Sequence, residues 1–146
     1  MDNENLVVKI KYHNDILPIE EFENGDWIDL RAAEDVEMKA GERRKISLGV
    51  SMKLPDGYEA WILPRSSTCD KWGIIQANHM GIIDNSYCGE NDIWKFSAIA
   101  VRDTIIYKND RICQFRIEKK QPKFRWDVRD HLDGKDRGGF GSTGAK

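Results

Sequence analysis

One carboxylate, one forked cation and a run of bare backbone amides are spread along this chain in a way that suits phosphate chemistry. Asp84 follows Gly81-Ile82-Ile83 and precedes Asn85-Ser86, a turn-forming pair. The pattern predicts a carboxylate held on a tight hairpin; it could serve chemistry there, or do no more than shape the turn. Arg65-Ser66-Ser67 follows Pro64 at the end of an apolar run. The arginine fork matches phosphate geometry, and a serine is a good N-cap for a helix whose free amides attract anions. The same three residues would also make an ordinary capped turn. Gln114 interrupts the apolar alternation of Asp110-Arg111-Ile112-Cys113-Gln114-Phe115, and as an inward amide it must find partners. A second acid, Asp29, sits in Asp29-Leu30-Arg31-Ala32-Ala33, where it could equally brace a turn.

The most specific stretch is Arg137-Gly138-Gly139-Phe140-Gly141-Ser142-Thr143-Gly144. Glycine in that density loses too much backbone entropy to build a packed element. The stretch is therefore expected to be flexible, and either to order on a ligand or to be no more than a disordered terminus. Its amides, with Ser142 and Thr143, can wrap phosphate oxygens as anion-binding nests do, and Phe140 offers a flat face to a base. Together they read as a lid over a nucleotide. The chain then divides into a body over residues 1–134 and a lid over residues 135–146.

Placing these groups requires a scaffold, and the pattern predicts strands throughout. Leu6, Val8, Ile10 and Tyr12 alternate with Val7, Lys9 and Lys11, and Ile46, Leu48, Val50 and Met52 with Lys45, Ser47, Gly49 and Ser51. Pro55-Asp56-Gly57 is a turn, and Tyr58, Ala60 and Ile62 alternate beyond it, which predicts a hairpin. Trp94, Phe96, Ala98 and Ala100 alternate again, and Asn109-Asp110 turns into Ile112–Ile117. The one helix expected is short, from Ser66 to about Lys71, just before Gly73. Many short strands between turns indicate an all-β, jelly-roll-like sandwich or barrel.

The 146 residues suit one domain, 40% hydrophobic and 33% charged. A net charge of −2 argues against duplex nucleic acid as the main partner. No apolar run approaches the ~20 residues of a membrane span. The polar Met1-Asp2-Asn3-Glu4-Asn5 does not resemble a secretory signal. Cys69, Cys88 and Cys113 lack paired spacing, which fits reduced thiols in a cytoplasm, and none has the partners a zinc site needs.

In order and spacing, these segments resemble the five motifs of the dUTPase family, from about Asp26 to Gly144. The resemblance is to the all-β homotrimeric class, as in Gram-positive bacteria and their phages. It implies hydrolysis of dUTP to dUMP and pyrophosphate, with Asp84 activating the water that attacks the α-phosphorus. Tyr87 would pack under the deoxyribose and exclude a 2′-hydroxyl. Asn78 and the backbone of Gly81, Ile82 and Ile83 would read uracil. A mismatched cytosine would leave buried groups unpaired, a discrimination of roughly 10⁴–10⁵. Arg65, Ser66 and Ser67 would hold phosphates, Gln114 a phosphate or the active-site water, and Asp29 would lie near the metal and phosphates. From the tail, Phe140, Gly141, Ser142 and Thr143 would close over the nucleotide, with Lys135 or Arg137 on the γ-phosphate. Mg²⁺ would travel on the triphosphate rather than in a protein cage. Sites would lie between subunits, with motif three of one chain facing motifs one, two and four of another.

Four positions depart from the family pattern. Ser86 stands where Asp is common, Cys88 where a polar residue is common, and Ser67 where Gly is frequent. Lys135-Asp136 falls where an Arg-Gly pair is usual. Ser86 and Cys88 are expected on the turn rather than at the reacting centre, and Trp94 or Phe96 offers a second aromatic cover for the base. Two rivals carry different expectations. The related dCTP deaminases share Arg-Ser-Ser after a strand but lack the tail. A regulatory protein on the same scaffold would bind a protein partner without needing the reaction.

Overall fold

The computed structural model describes residues 6–141 and 143–145. Eleven strands and one short helix follow in order: β1 (Lys9–Tyr12), β2 (Ile28–Arg31), β3 (Val36–Met38), β4 (Arg43–Ser47), β5 (Val50–Lys53), β6 (Tyr58–Pro64), α1 (Thr68–Trp72), β7 (Ile74–Gln76), β8 (Gly81–Ile83), β9 (Lys95–Ala100), β10 (Thr104–Ile106) and β11 (Arg111–Lys119). The strands form a four-stranded sheet, β2-β11-β6-β8, a three-stranded sheet, β4-β9-β7, and two ribbons, β1-β5 and β10-β3. None of these closes on itself, so the all-β, jelly-roll-like expectation resolves to packed open sheets. Among the described residues no helix is long and apolar enough to cross a membrane.

The core follows from strand alternation. In β9, Phe96, Ala98 and Ala100 are buried while Lys95, Ser97 and Ile99 are not, as a half-buried strand requires. Those three join Leu30, Ile46, Leu48, Ile62, Trp94 and Ile112 in one apolar cluster. Trp94 and Phe96 are fully buried; Phe96 lines no cleft beside Asp84, which removes it as a cover for the base, whereas Trp94 borders that cleft from the core side. The rings of Trp94 and Phe115 meet edge to face at 5.3 Å.

Several local expectations fail for long-range reasons. The run Ile46–Met52 is not one strand, because the chain breaks at Gly49, whose φ is +65°. A Cβ there would lie 3.1 Å from Ala33 and Ile16, so both conformation and space call for glycine. β4 then pairs with β9 and β5 with β1. The turn at Pro55-Asp56-Gly57 forms, with the Tyr58 N–H donating to the Pro55 carbonyl at 3.1 Å. It does not make a hairpin, because β6 pairs with β11 and β8 instead of β5. α1 starts at Thr68 rather than Ser66 and ends at Gly73, whose N–H donates to the Cys69 carbonyl. Gln114 does not point inward. A register irregularity between Arg111 and Cys113 places Cys113 and Phe115 on the buried face and leaves Gln114 half-buried on the other.

β11 ends at Lys119, well before the expected boundary at residue 134. From Lys120 to Ala145 every described residue is exposed and none lies in a strand or helix. Phe124, Trp126, Val128, Leu132 and Phe140 all face solvent.

Candidate active site

The predicted residues gather in two places. The first lies where β2, β11 and the β6–α1 junction meet. Asp29, Leu63 and Gln114 stand side by side in the sheet, because Gln114 is in register with both of the others. The Asp29 carboxylate sits between two guanidiniums, with Arg65 Nε at 3.2 Å and Arg111 Nη1 at 3.3 Å. Arg65 also donates to the Arg111 carbonyl at 2.9 Å. Gln114 Nε2 donates to the Pro64 carbonyl at 3.0 Å and fixes the strand end that carries Arg65.

Ser67 occupies the N-cap position of α1 but makes no side-chain cap bond, contrary to the expectation for it. The Thr68 hydroxyl takes over, accepting from the Arg65 N–H at 2.7 Å and donating to the Ile112 carbonyl at 2.8 Å. Ser66 is exposed and Ser67 half-buried. This half of the site thus presents two forked cations with their geometry already set by one carboxylate, flanked by two uncommitted serines. Such a group suits a polyanion. Sequence reasoning missed Arg111 and Thr68, although Arg111 stands inside the motif that carries Gln114.

The second place is a cleft of about 390 Å³ lined by Asn78, Ile82, Ile83, Asp84 and Tyr87, together with Lys45, Ile93, Trp94, Lys95 and Ser97. β8 supplies one wall and is the edge of its sheet, so one row of its backbone groups has no strand partner there. Gly81 is in register with Ile62. A Cβ on Gly81 would come within 3.2 Å of the Ile62 side chain, so β8 lies close against β6 at this point. No return strand follows β8, and a tight turn stands where a hairpin was expected. The Tyr87 N–H donates to the Asp84 carbonyl at 2.9 Å. Asn85 Nδ2 staples this turn to the next loop by donating to the carbonyls of Pro55 at 2.9 Å and Tyr58 at 2.8 Å. The Tyr87 hydroxyl donates to the Ile93 carbonyl at 3.3 Å.

Asp84 is exposed at this cleft. The Ser86 hydroxyl donates to Asp84 Oδ2, and the Ser86 N–H donates to the same oxygen at 2.9 Å. Those two bonds, hydroxyl first, hold the carboxyl below its ordinary range against a small opposing effect of burial, and Lys120 adds attraction. Ser86 therefore touches the candidate reacting group, which corrects the expectation that it only shapes the turn.

The two places are not one site within a chain. Ile83 lies opposite Ala60 on β6, whereas Arg65 follows the far end of that strand. At ~3.3 Å per residue the two levels are about 16 Å apart, too far for the carboxylate and the cations to act on one phosphorus. The tail joins neither. Lys135, Arg137, Phe140, Gly141 and Thr143 are exposed, and Ser142 lies outside the described residues. Another cleft, about 540 Å³ between Val8, Ile10, Ile28, Met52 and Ile117, contains none of the predicted site residues. Among the described residues no cluster of three or more His, Cys, Asp or Glu forms, and Asp29 is already committed to its two arginines.

The dUTPase family model matches residues 27–144. The chain is 56% identical to the SPbeta prophage-derived deoxyuridine 5'-triphosphate nucleotidohydrolase of Bacillus subtilis, over 97% of this chain and 100% of that protein. It is 37% identical to the deoxyuridine 5'-triphosphate nucleotidohydrolase of Maricaulis maris, over 95% and 97%. Among solved structures, a mutant dUTPase of Staphylococcus bacteriophage 80alpha with dUpNHpp superposes with a TM-score of 0.77 at 19% identity, covering 94% and 98%. A dUTPase of phage phi11 of S. aureus, solved with a structural Mg(II) ion, superposes with a TM-score of 0.74 at 16% identity, covering 85% and 97%. These matches favour neither the deaminase rival nor the purely regulatory one.

Proposed function

The chain belongs to the dUTPase family and hydrolyses dUTP, and we propose that it does so with Asp84 of one subunit acting on a triphosphate held by Arg65 and Arg111 of another. The observation that carries this reading is the separation of the two groups along β6. An exposed carboxylate beside a nucleoside-sized cleft and a preset pair of guanidiniums are complementary halves, and one chain cannot bring them together. A homotrimer with three shared sites meets that requirement.

In this reading uracil lies against the edge of β8, where Asn78 and the backbone of Gly81, Ile82 and Ile83 meet its polar edge. Tyr87 packs under the deoxyribose. Asp84 orients a water and takes its proton as the water oxygen bonds to the α-phosphorus. The bond to the bridging oxygen breaks, and pyrophosphate leaves. Arg65 and Arg111, with Ser66 and Ser67, neutralise the phosphates, as phosphoryl chemistry mainly demands. Asp29, Thr68 and Gln114 hold those cations in place. Mg²⁺ bound by the triphosphate oxygens adds charge neutralisation. The tail from about residue 135 closes as a lid, with Phe140 on the base and Gly141, Ser142 and Thr143 on the phosphates, and Lys135 or Arg137 reaches the γ-phosphate. A cytoplasmic setting accords with the free thiols of Cys69, Cys88 and Cys113.

Pyrophosphate release from dUTP, set beside dCTP, dTTP and UTP, tests the substrate assignment. Selective release from dUTP is the expected result. Comparable turnover of dCTP or UTP would contradict the cleft's reading of base and sugar.

A further inference from the structure

Building on the role proposed for Asp84, we infer that Ser86 is a positioning residue for hydrolysis: its hydroxyl and amide fix Oδ2 of the Asp84 carboxylate, so that Oδ1 is the oxygen presented to water. An exposed aspartate samples several rotamers, and a base that wanders loses the advantage of proximity. Two donors from one residue converge on Oδ2 and select a single orientation. The residue that supplies them is itself anchored. Asn85 is bonded to the carbonyls of Pro55 and of Tyr58 at the start of β6, and Tyr87 closes the turn back onto Asp84. Among the described residues no donor of this chain reaches Oδ1, which leaves its lone pairs for the water.

The same contact answers an electrostatic difficulty. A triphosphate brought beside a carboxylate disfavours the charged form, and a protonated Asp84 cannot act as a base. The Ser86 donors stabilise the carboxylate where it is needed. Other charges around the group are Lys120, which pulls in the same direction, Lys45 and Lys95 in the same cleft, and Glu59 on β6 beside the register partner of Ile83. In the step itself the water proton goes to Oδ1, the water oxygen bonds to phosphorus, and the pyrophosphate oxygen departs with the electron pair of the broken bond.

The test is the pH dependence of kcat for Ser86→Ala and Ser86→Thr, with Asp84→Asn in parallel. Ser86→Ala should lower kcat about tenfold, the scale of one hydrogen bond to a charged group, with KM little changed. Its acid limb should move to higher pH, because the carboxylate has lost a donor. Ser86→Thr keeps the hydroxyl and should restore both the rate and the limb. An acid limb unmoved in Ser86→Ala would overturn the inference, as would a threonine variant as defective as the alanine one. The two levels of the account separate cleanly. Turnover surviving in Asp84→Asn would sink the base assignment itself, whereas an inactive Asp84→Asn beside a wild-type-like Ser86→Ala would sink only the role of Ser86.

Discussion

The two halves of the site are built on opposite principles. Around Arg65 and Arg111 the charges are partly buried and bonded to one another, and the Asp29 side chain is only 13% exposed. Around Asp84 the carboxylate is exposed and held by a single local turn. The cationic half must stay ordered without substrate, because two unpaired guanidiniums would repel each other. In the proposed function the Asp84 half needs an open edge, because the nucleobase and the water would have to enter there. The protein therefore invests long-range packing where charge must be stored and short-range turn chemistry where access is required.

Breaking the open half should have the largest effect. Asp84→Asn preserves shape but cannot take a proton, so turnover should fall by at least about 10² while nucleotide binding and assembly persist. Turnover within threefold of the parent would remove Asp84 from the base role.

Truncation before Gly138 comes next. The tail contributes no buried surface to the described core, so the melting temperature should barely move while kcat/KM falls steeply. Full activity after truncation would sink the lid.

The stored-charge half should respond the other way round. Asp29→Asn leaves two guanidiniums short of their carboxylate and should cost about 2 kcal/mol in denaturant unfolding, less than for a fully buried pair. KM for dUTP should rise with it, because the cations lose their set geometry. A variant as stable as the parent would mean that the cationic half is held by backbone contacts alone.

The smallest effect is expected at Tyr87. Tyr87→Ala should narrow the ratio of kcat/KM for dUTP over UTP and leave stability nearly unchanged. An unaltered ratio would place sugar discrimination elsewhere.

The sequence made one kind of information plain and concealed another. Glycine-rich tail chemistry, the Arg-Ser-Ser junction and the acid before a turn are local, and each can be read from neighbouring residues. Alternation placed β9 and most of β6 correctly for the same reason. What a residue meets across the fold is not written beside it. Pro55-Asp56-Gly57 makes the expected turn, but whether it joins paired strands depends on which strand arrives later, and β11 takes that place. Gln114 faces outward because of one irregularity in register that no residue type announces. Ser86 looked like turn filler, since its contact with Asp84 exists only once the turn has its final shape. No strand forms beyond Lys119, and Phe124, Trp126 and Val128 stay exposed among the described residues, although their composition resembles a strand.

The account rests most heavily on Asp84 and Arg65 acting from different chains. Asp84→Asn and Arg65→Ala should each be nearly inactive as homogeneous trimers. Unfolded together in equal amounts and reassembled, they should recover roughly a quarter of the parental sites, since a random cyclic trimer pairs intact halves at that frequency. Recovered dUTP hydrolysis in the mixture is the predicted result. A mixture no more active than its separate components, with mixed trimers confirmed by mass, would place both residues in one chain's site and contradict the account.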